Sequence, residues 1–424
     1  MNWIRWLAVD TSPLQVPAFK RLFLGTVVTV LGTQMTLVAV PVQAYLLTGS
    51  SLVVGLTSIV ALVPLIIFGL LGGAIADAVD RRLLLLVTSS GAAVTAIGLL
   101  LQSSLPGGGS LWVLWPLVFL QSACFAVNAP TRSATIPALV GLARVPAANA
   151  LNMTVTQAGI IGAPLLAGLL IGAGNLPLTY AIDAVGLLIA VPLLRGLPPL
   201  PPDGGAGRIN LLGAVRSVAE GFAFLRTQPV LLMTFVVDII AMVFGMPRAV
   251  FPELADSTFA GSSNALGWLF AAMSIGAVVA GLLSGPVARV QRQGAVILVA
   301  ISVWGIAIAL FGVTTSLMWA VFFLALSGAA DMVSAVLRTS MLQSGAPDAM
   351  RGRMQGVFIV VVAGGPRLGD LRAGAMAAAW TIPATMISGG VLIVVAMVVV
   401  AIAVPTFWRY RFDDRGPEPQ SAAL

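Results

Sequence analysis

The 424-residue sequence contains no histidine and a single cysteine, Cys124. The usual ligands of zinc, haem and iron–sulfur sites are therefore missing, which excludes most classes of metalloenzyme, and no metal site is predicted. An internal disulfide is impossible, and the apolar run around Cys124 indicates a packing residue. We identify no catalytic group and expect a protein that is not an enzyme. An intramembrane enzyme that uses serine or aspartate is the alternative that composition leaves open.

Charged residues are also scarce, at 9%, while hydrophobic residues make up 59%. An ordinary soluble domain has about 25% and about 45–50% of these classes. A membrane span needs about 20 apolar residues, and the chain has enough for about twelve. The apolar runs are continuous and lack the alternation of barrel strands, so helices must satisfy the backbone in lipid. The sequence thus predicts an all-α integral membrane protein, with the lipid bilayer as a partner.

The order of apolar runs predicts twelve transmembrane helices. Their ranges are 21–47, 52–76, 83–103, 111–136, 147–172, 177–196, 229–254, 264–288, 294–314, 317–343, 353–378 and 382–408.

The longest polar stretch separates the sixth and seventh spans and divides the chain into two halves. It contains four prolines, three glycines and then an amphipathic segment, 209–225, which is typical of a linker. We predict a cytoplasmic N-terminal tail, an N-terminal six-helix bundle, a cytoplasmic linker, a C-terminal six-helix bundle and a cytoplasmic C-terminal tail: 1–20, 21–196, 197–228, 229–408 and 409–424.

The net charge of +7 is explained by where the arginines fall. Basic residues cluster at alternate span ends: Arg81 and Arg82 follow the second span, Arg132 and Arg144 bracket the exit of the fourth, and others lie in the linker, while the intervening turns contain none. The positive-inside rule then places both termini in the cytoplasm of a plasma-membrane protein. This pattern favours a membrane orientation signal over nucleic-acid binding. The segment before Lys20 lacks a signal peptide, and we expect it to be retained.

A weak internal repeat supports two related halves. Gly55 and Gly73 are 18 residues apart, as are Gly267 and Gly285, and the two pairs are offset by 212 residues. Two pseudo-symmetric six-helix bundles would leave such collinear spacing. Chance matches among the 45 glycines are the alternative.

The turn from Gly73 to Arg82 resembles the loop motif that follows the second helix of major facilitator superfamily transporters. Its characteristic positions are occupied by Gly73, Asp77, Arg81 and Arg82, whereas Ala78 and Asp80 replace a usual arginine and glycine. The resemblance implies a conformational latch in which Asp77 faces the positive N-terminus of span eleven, with the arginines anchored at the headgroups. Ordinary positive-inside flanking is the alternative, and it leaves the aspartate unexplained.

Span five resembles the glycine and proline motif of exporters in this superfamily, through Gly159, Gly162, Pro164 and Gly168. Small residues permit close helix approach, and the proline bends the helix. The position of this motif favours antiport over uptake.

Further stretches, including 18–24, 128–130, 136–140 and 250–255, resemble the enterobactin exporters and their drug-efflux relatives of the drug:proton antiporter-3-like family. The resemblance implies the major facilitator fold, a central cavity, and proton-driven export by a monomer that needs no cofactor besides the proton gradient. An arginine frequent in span four of other drug antiporters is absent between 111 and 127, where Gln121 stands instead, and this weakens the argument for proton coupling.

Ionisable residues inside the spans are candidate proton or substrate sites because each needs a partner or water in lipid. For Asp238 and Asp331, apolar surroundings favour the neutral carboxyl that a proton carrier needs, whereas a permanent ion pair is the alternative, with Arg338 two turns after Asp331. Arg367 and Asp370 can pair directly at i and i+3, which favours a structural role.

Arg248, Glu253 and Asn128 complete the candidates, with two interpretations for the Arg248 and Glu253 pair and two for Asn128. Arg248 either faces the cavity and attracts an anionic substrate such as a siderophore, or lies at the outer helix end beside Glu253. Asn128, two residues before Pro130, is either a polar cavity group or a hydrogen-bonding residue of a kinked helix.

The leading functional hypothesis is a secondary transporter that exports small amphipathic molecules, siderophores or drugs, by proton antiport with alternating access. A proton-coupled importer with the same fold is the nearest alternative. A lipid scramblase or a receptor also fits the hydropathy. Substrate identity does not follow from the sequence.

Overall fold

The computed structural model describes residues 10–201, 211–260, 262, 264–285, 287, 290–345 and 348–411, and their regular elements are all helical. For some residues inside these helices, Gly73 and Asp77 among them, only the backbone is described. The α-helices are α1 (Pro17–Thr48), α2 (Ser51–Ala78), α3 (Arg81–Ser103), α4 (Leu111–Val140), α5 (Val145–Gly172), α6 (Leu176–Arg195), α7 (Leu211–Thr227), α8 (Pro229–Gly245), α9 (Phe251–Asp256), α10 (Ala265–Leu282), α11 (Gln293–Val313), α12 (Leu317–Gly345), α13 (Asp348–Ala379), α14 (Ile382–Ala403) and α15 (Pro405–Trp408).

Within the described residues, eleven helical segments are long and apolar enough to cross a membrane. They correspond to eleven of the twelve predicted spans. The remaining one, α13, is 32 residues long but carries Arg367, Asp370 and Arg372, and it lies outside this set. The all-α membrane architecture is therefore confirmed, while the count of twelve stays a prediction.

Several predicted span ends need correction. Span seven is not one helix: α8 ends at Gly245, and a 3-10 turn, Arg248–Val250, separates it from α9. The cause is Pro247, because a proline disfavours helical geometry in the residue before it, and Met246 is extended. Proline also ends α14 before the short α15. Span eight was predicted to end at 288, whereas its helix, α10, ends at Leu282.

The chain divides into two compact units. The first is drawn from Met1–Ala214 and Phe251–Ala271, and the second from Val215–Val250 and Ala272–Leu424. The amphipathic segment predicted in the linker forms α7.

In the first unit, α1 packs against α5 and α6, α3 packs against α4 and α6, and α2 packs against α4. Small side chains and leucines fill the core between these helices, for example Ala93, Ala96, Ala184 and Leu187 between α3 and α6. In the second unit, α11 packs against α12 and α14, and α8 packs against α13 and α14. Large apolar side chains such as Leu37, Val94 and Ile402 remain exposed, as expected for surfaces that face lipid.

Candidate functional site: a polar cavity and a buried ionic cluster

A cavity of about 380 Å³ lies within the first unit, lined by side chains of α1, α3, α4, α5 and α6. Its volume falls in the range of about 300–1,000 Å³ that small-molecule sites occupy. Apolar walls come from residues such as Val30, Phe125 and Leu187. Twelve of the twenty lining residues, however, carry hydroxyl or amide groups: Thr26, Thr29, Thr33, Gln34, Thr88, Ser89, Gln121, Asn128, Ser133, Asn149, Asn152 and Thr156.

Arg132 is the one charged side chain among the described residues that line the cavity. Its guanidinium donates to the Thr26 hydroxyl at 2.5 Å, and more weakly to the Asn128 side-chain oxygen at 3.4 Å and to the Leu22 carbonyl at 3.5 Å. All these partners are neutral. The guanidinium thus keeps its full positive charge beside the cavity, where it can attract an anionic or strongly polar group.

Arg132 was predicted to mark the cytoplasmic exit of span four, and its place on the cavity wall was not predicted. The fourth span does not end at 136, because α4 continues to Val140, and Arg132 therefore lies two turns inside the helix. One signal was available in the sequence: Asn128 and Arg132 are at i and i+4, a spacing that puts two polar side chains on one helix face.

Asn128 connects α4 to α3. Its amide nitrogen donates to the hydroxyls of Thr88 at 2.8 Å and Ser89 at 3.1 Å, while its oxygen accepts from Arg132. The side chain therefore lines the cavity and also positions the arginine. Its role in transport stays a prediction.

Asp183 in α6 is fully buried beside the cavity. One carboxylate oxygen accepts hydrogen bonds from Thr36 at 2.7 Å and from Gln121 at 3.2 Å. Gln121, the residue that stands where other antiporters have an arginine, therefore connects this acid to the cavity lining.

The second unit contains a buried ionic cluster. Arg338 in α12 forms ion pairs with Asp238 in α8 and with Asp331, which lies two turns earlier in α12, the latter at 3.3 Å. Asp238 and Arg338 are almost inaccessible, whereas the side chain of Asp331 is 33% exposed. The expected pairing of Asp331 with Arg338 is present, and the contact with Asp238 from another helix was not predicted. One positive charge faces two carboxyl groups.

The other candidates of the second unit lie around the ends of α8 and within α13. Arg367 donates to the Ala363 carbonyl at 2.9 Å and interacts electrostatically with the buried Asp370. Arg248 is exposed in its 3-10 turn and lies within electrostatic range of Asp331 and Arg367.

Arg372 has a structural role. It donates to the Phe244 carbonyl at 2.8 Å and covers the Phe244 ring at 5.6 Å. It thereby satisfies a carbonyl at the broken end of α8.

Glu253 belongs to α9 and to the first unit. Its carboxylate accepts a hydrogen bond from the hydroxyl of Ser51, the first residue of α2. The carboxylate therefore has a hydrogen-bonding partner within its own unit.

The loop motif after α2 is fixed by hydrogen bonds to the backbone of neighbouring segments. Asp80 is the N-cap of α3: its carboxylate accepts from the Leu83 amide at 3.1 Å and from the Leu200 amide at 2.9 Å. Arg82 donates to the Arg195 carbonyl at 2.6 Å, and Arg81 to the Ala134 carbonyl at 3.5 Å. The two arginines were expected to reach headgroups, but both contact carbonyls of neighbouring helices, and Asp80 gains a capping role at the position of the usual glycine.

The remaining motif positions, Gly73 and Asp77, lie in α2, and the side chain of Asp77 lies outside the described part. The latch stays a prediction.

The span-five motif lies in α5. A Cβ atom at Gly168 would overlap the backbone of Gly267 in α10, so this close approach requires glycine. Gly159 is packed against Val30 in α1, whereas Gly162 faces open space. Pro164 is buried, and its carbonyl also faces Gly267.

The family described as transmembrane secretion effector matches residues 8–420, nearly the whole chain. The chain belongs to this family. Its members share the major facilitator fold that the loop motif predicted, and the protein is a multi-pass membrane transporter and not an enzyme.

Named relatives agree. The chain is 30% identical over 416 residues to the enterobactin exporter EntS of Shigella boydii serotype 4 (strain Sb227), covering 97% of each chain. The same values hold for EntS of Escherichia coli O81 (strain ED1a). The resemblance to enterobactin exporters is therefore confirmed.

Solved structures support the fold alone. The nucleoside transporter NupG superposes with a TM-score of 0.73 at 15% identity, covering 93% of this chain and 99% of that one. The POT family transporter PepTSo gives a TM-score of 0.68 at 15% identity, with 94% and 99% covered.

Proposed function

We propose that the protein exports small amphipathic molecules, siderophores or drugs, across the plasma membrane by alternating access, with protons moving in the opposite direction. In this proposal twelve helices form two pseudo-symmetric six-helix bundles, both termini are cytoplasmic, and the monomer is the transporting unit. The observation that carries it is the Arg132 cavity of the first unit. The likeness to exporters named for enterobactin over 97% of the chain supports the direction of transport.

The cavity favours a substrate with two kinds of surface. Arg132 and the surrounding hydroxyl and amide groups suit an anionic or hydroxyl-rich group, because its hydrogen bonds to water are replaced on binding. Phe125, Ile136 and Leu187 suit an apolar or aromatic portion. Enterobactin, the siderophore in the name of the relatives, and many drugs belong to this amphipathic class.

The ionic cluster supports proton coupling. Among the described residues, Arg338 is the one cation in ion-pair contact with Asp238 and Asp331, with the exposed Arg248 at longer range, so ionisation of both acids leaves one carboxylate without an ion-pair partner of its own. A single proton bound by either acid removes this unpaired negative charge, and the other acid stays paired with Arg338. Removal of the arginine would instead leave both carboxylates without their ion-pair partner. We propose that the two acids titrate as a pair and carry one exchangeable proton.

The experiment compares wild type, Asp238→Asn and Asp331→Asn in proteoliposomes with an imposed pH gradient, using a fluorescent dye or a catecholate siderophore. We expect gradient-driven transport to fall at least tenfold in both variants while exchange without a gradient persists. Asp256→Asn, which changes an exposed acid at the end of α9, is the matched control and keeps wild-type transport.

Two outcomes oppose the proposal. Wild-type transport that ignores the pH gradient argues against antiport. Lower dye accumulation in a deletion strain than in its parent argues for import, because loss of an exporter raises accumulation.

A further inference from the structure

Asp183 lies where α6 makes its closest approach to α1. A Cβ atom at Gly32 would overlap the backbone and carboxyl group of Asp183, so the two helices are in direct contact there. The aspartate has 0% exposure, although it lies midway along a predicted span. Its carboxyl group is therefore shielded from lipid and from bulk water by its own unit.

The hydrogen-bond partners of Asp183 are neutral. One oxygen, Oδ2, accepts from Thr36 and Gln121, and the hydroxyl of Thr33 lies beside the carboxyl group. The other oxygen, Oδ1, accepts no hydrogen bond that meets ordinary geometry from the described residues. This asymmetry fits a carboxylic acid, in which Oδ2 is the carbonyl acceptor and Oδ1 carries the proton toward Thr33.

Cations on the surrounding helices form no ion pair with Asp183 among the described residues. The basic residues of α1 and α6 are separated from the contact by 11 or 12 residues, which is about 16 to 18 Å along a helix; they are Lys20 and Arg21 relative to Gly32, and Arg195 relative to Asp183. The Arg132 guanidinium is nearer, because it contacts Thr26, about 9 Å along α1 from Gly32, but its hydrogen bonds go to neutral groups and not to Asp183. On α3, Arg82 contacts the Arg195 carbonyl at that same far end. The α5 sequence has no charged residue.

Two neutral titratable groups are nearer. Tyr180, one turn before Asp183, donates its hydroxyl to the Gln43 side chain at 2.7 Å, and Cys124 lies on the cavity wall. Neither supplies a positive charge. An ionised carboxylate at Asp183 would thus be a buried charge with no ion-pair partner among the described residues, which is strongly unfavourable.

We propose that Asp183 is a second proton-binding site of the protein, held as a neutral acid when α1 and α6 are in contact and connected to the cavity through Gln121. Gln121 and Thr33 both line the cavity and both lie at the carboxyl group, so one layer of side chains separates the proton from a bound ligand. A ligand that changes the orientation of Gln121 changes the donors available to Asp183 and hence its affinity for the proton. The use of this proton in transport rests on the proposed function, whereas its presence does not.

The test is infrared difference spectroscopy of the full-length protein in lipid nanodiscs at neutral pH, without substrate. Wild type should show a carbonyl stretch of a protonated carboxyl that is absent from Asp183→Asn. Glu220→Gln, which changes a partly exposed acid of α7, should retain the band. Gln121→Leu should shift the band because the acid loses a hydrogen bond, whereas Ser133→Ala, elsewhere on the cavity wall, should not.

Two results would overturn the proposal. The first is loss of carboxylate absorbance, with no loss of the protonated band, in Asp183→Asn. The second is a band that responds equally to Gln121→Leu and Ser133→Ala. If Asp183→Asn does not fold, Thr36→Val provides the same comparison, because it removes the shorter hydrogen bond while Asp183 remains. A positive spectrum with no pH-driven transport would refute antiport and leave the protonated acid established.

Discussion

The two units bury ionisable side chains in opposite ways. In the first unit, Arg132 and Asp183 lie on different helices, and each is surrounded by neutral hydroxyl and amide groups. In the second, Arg338 is placed directly between Asp238 and Asp331. The first arrangement leaves each group free to respond to a ligand or a proton, whereas in the second each charge depends on its neighbour.

Within the proposed function, this difference corresponds to different tasks for the two units. Neutral partners can exchange one hydrogen bond for another as a substrate enters, so the first unit suits recognition. A compensated cluster changes its charge only by taking up or losing a proton, which suits energy coupling. Substitutions that remove one charge at a time test whether the two environments differ as described.

The largest effect is expected for Arg338→Ala. It leaves two acids without their arginine in a buried setting, which typically destabilises a protein by about 3–5 kcal/mol. Thermal unfolding of the detergent-solubilised protein measures the loss. Arg216→Ala removes an exposed pair with Glu220 in the same unit and should change stability by less than about 1 kcal/mol. Adding Asp238→Asn and Asp331→Asn to Arg338→Ala should restore part of the stability; equal melting of Arg338→Ala and Arg216→Ala would contradict the cluster.

A smaller loss is expected for Arg132→Ala, up to about 3 kcal/mol, because only neutral partners such as Thr26 and Asn128 lose a hydrogen bond. Ligand affinity should fall instead, by about tenfold or more for an anionic dye, since a charge-assisted hydrogen bond contributes about 1.5–3 kcal/mol. Fluorescence titration measures it, with Arg144→Ala in an exposed turn as control. A stability loss as large as that of Arg338→Ala would erase the distinction between the units.

The smallest effect concerns packing in the first unit. Gly168→Ala forces a methyl group against the Gly267 backbone and should destabilise the protein by at least about 1 kcal/mol. Gly162→Ala, in the same helix with open space at that position, should be neutral or stabilising by up to about 1 kcal/mol. Melting temperatures of the two variants measured side by side decide the matter; identical values would show that the close approach has no energetic consequence.

Hydropathy predicted most of the fold, because a span is defined by length and apolar content, which the sequence displays directly. Ten of the twelve predicted span starts lie within two residues of an observed helix start. The break at Met246 and Pro247 was missed because both flanking segments are apolar, and hydropathy does not distinguish a broken span from a continuous one. Local backbone chemistry, here the residue before proline, carried that information.

The site was less predictable because its groups come together from different helices. Asp331 and Arg338 are on one helix, so their spacing predicted the contact, whereas Asp238 comes from α8 and no sequence pattern linked it to them. Arg132 was interpreted only as an orientation signal at the exit of span four, because a positive-inside count does not reveal which way an arginine near a helix end points. The hydroxyl and amide side chains of the cavity are divided among four helices, α1, α3, α4 and α5, so no single stretch of the sequence displays them together.

Cys124, a free cysteine, lies on the cavity wall, where its thiol can be used as a labelling site. As the sole thiol of the chain, it offers one attachment point for a fluorophore or spin label in the native sequence, with no background to remove. A candidate compound that slows labelling of this thiol would thereby show that it occupies the cavity, without a measurement of transport.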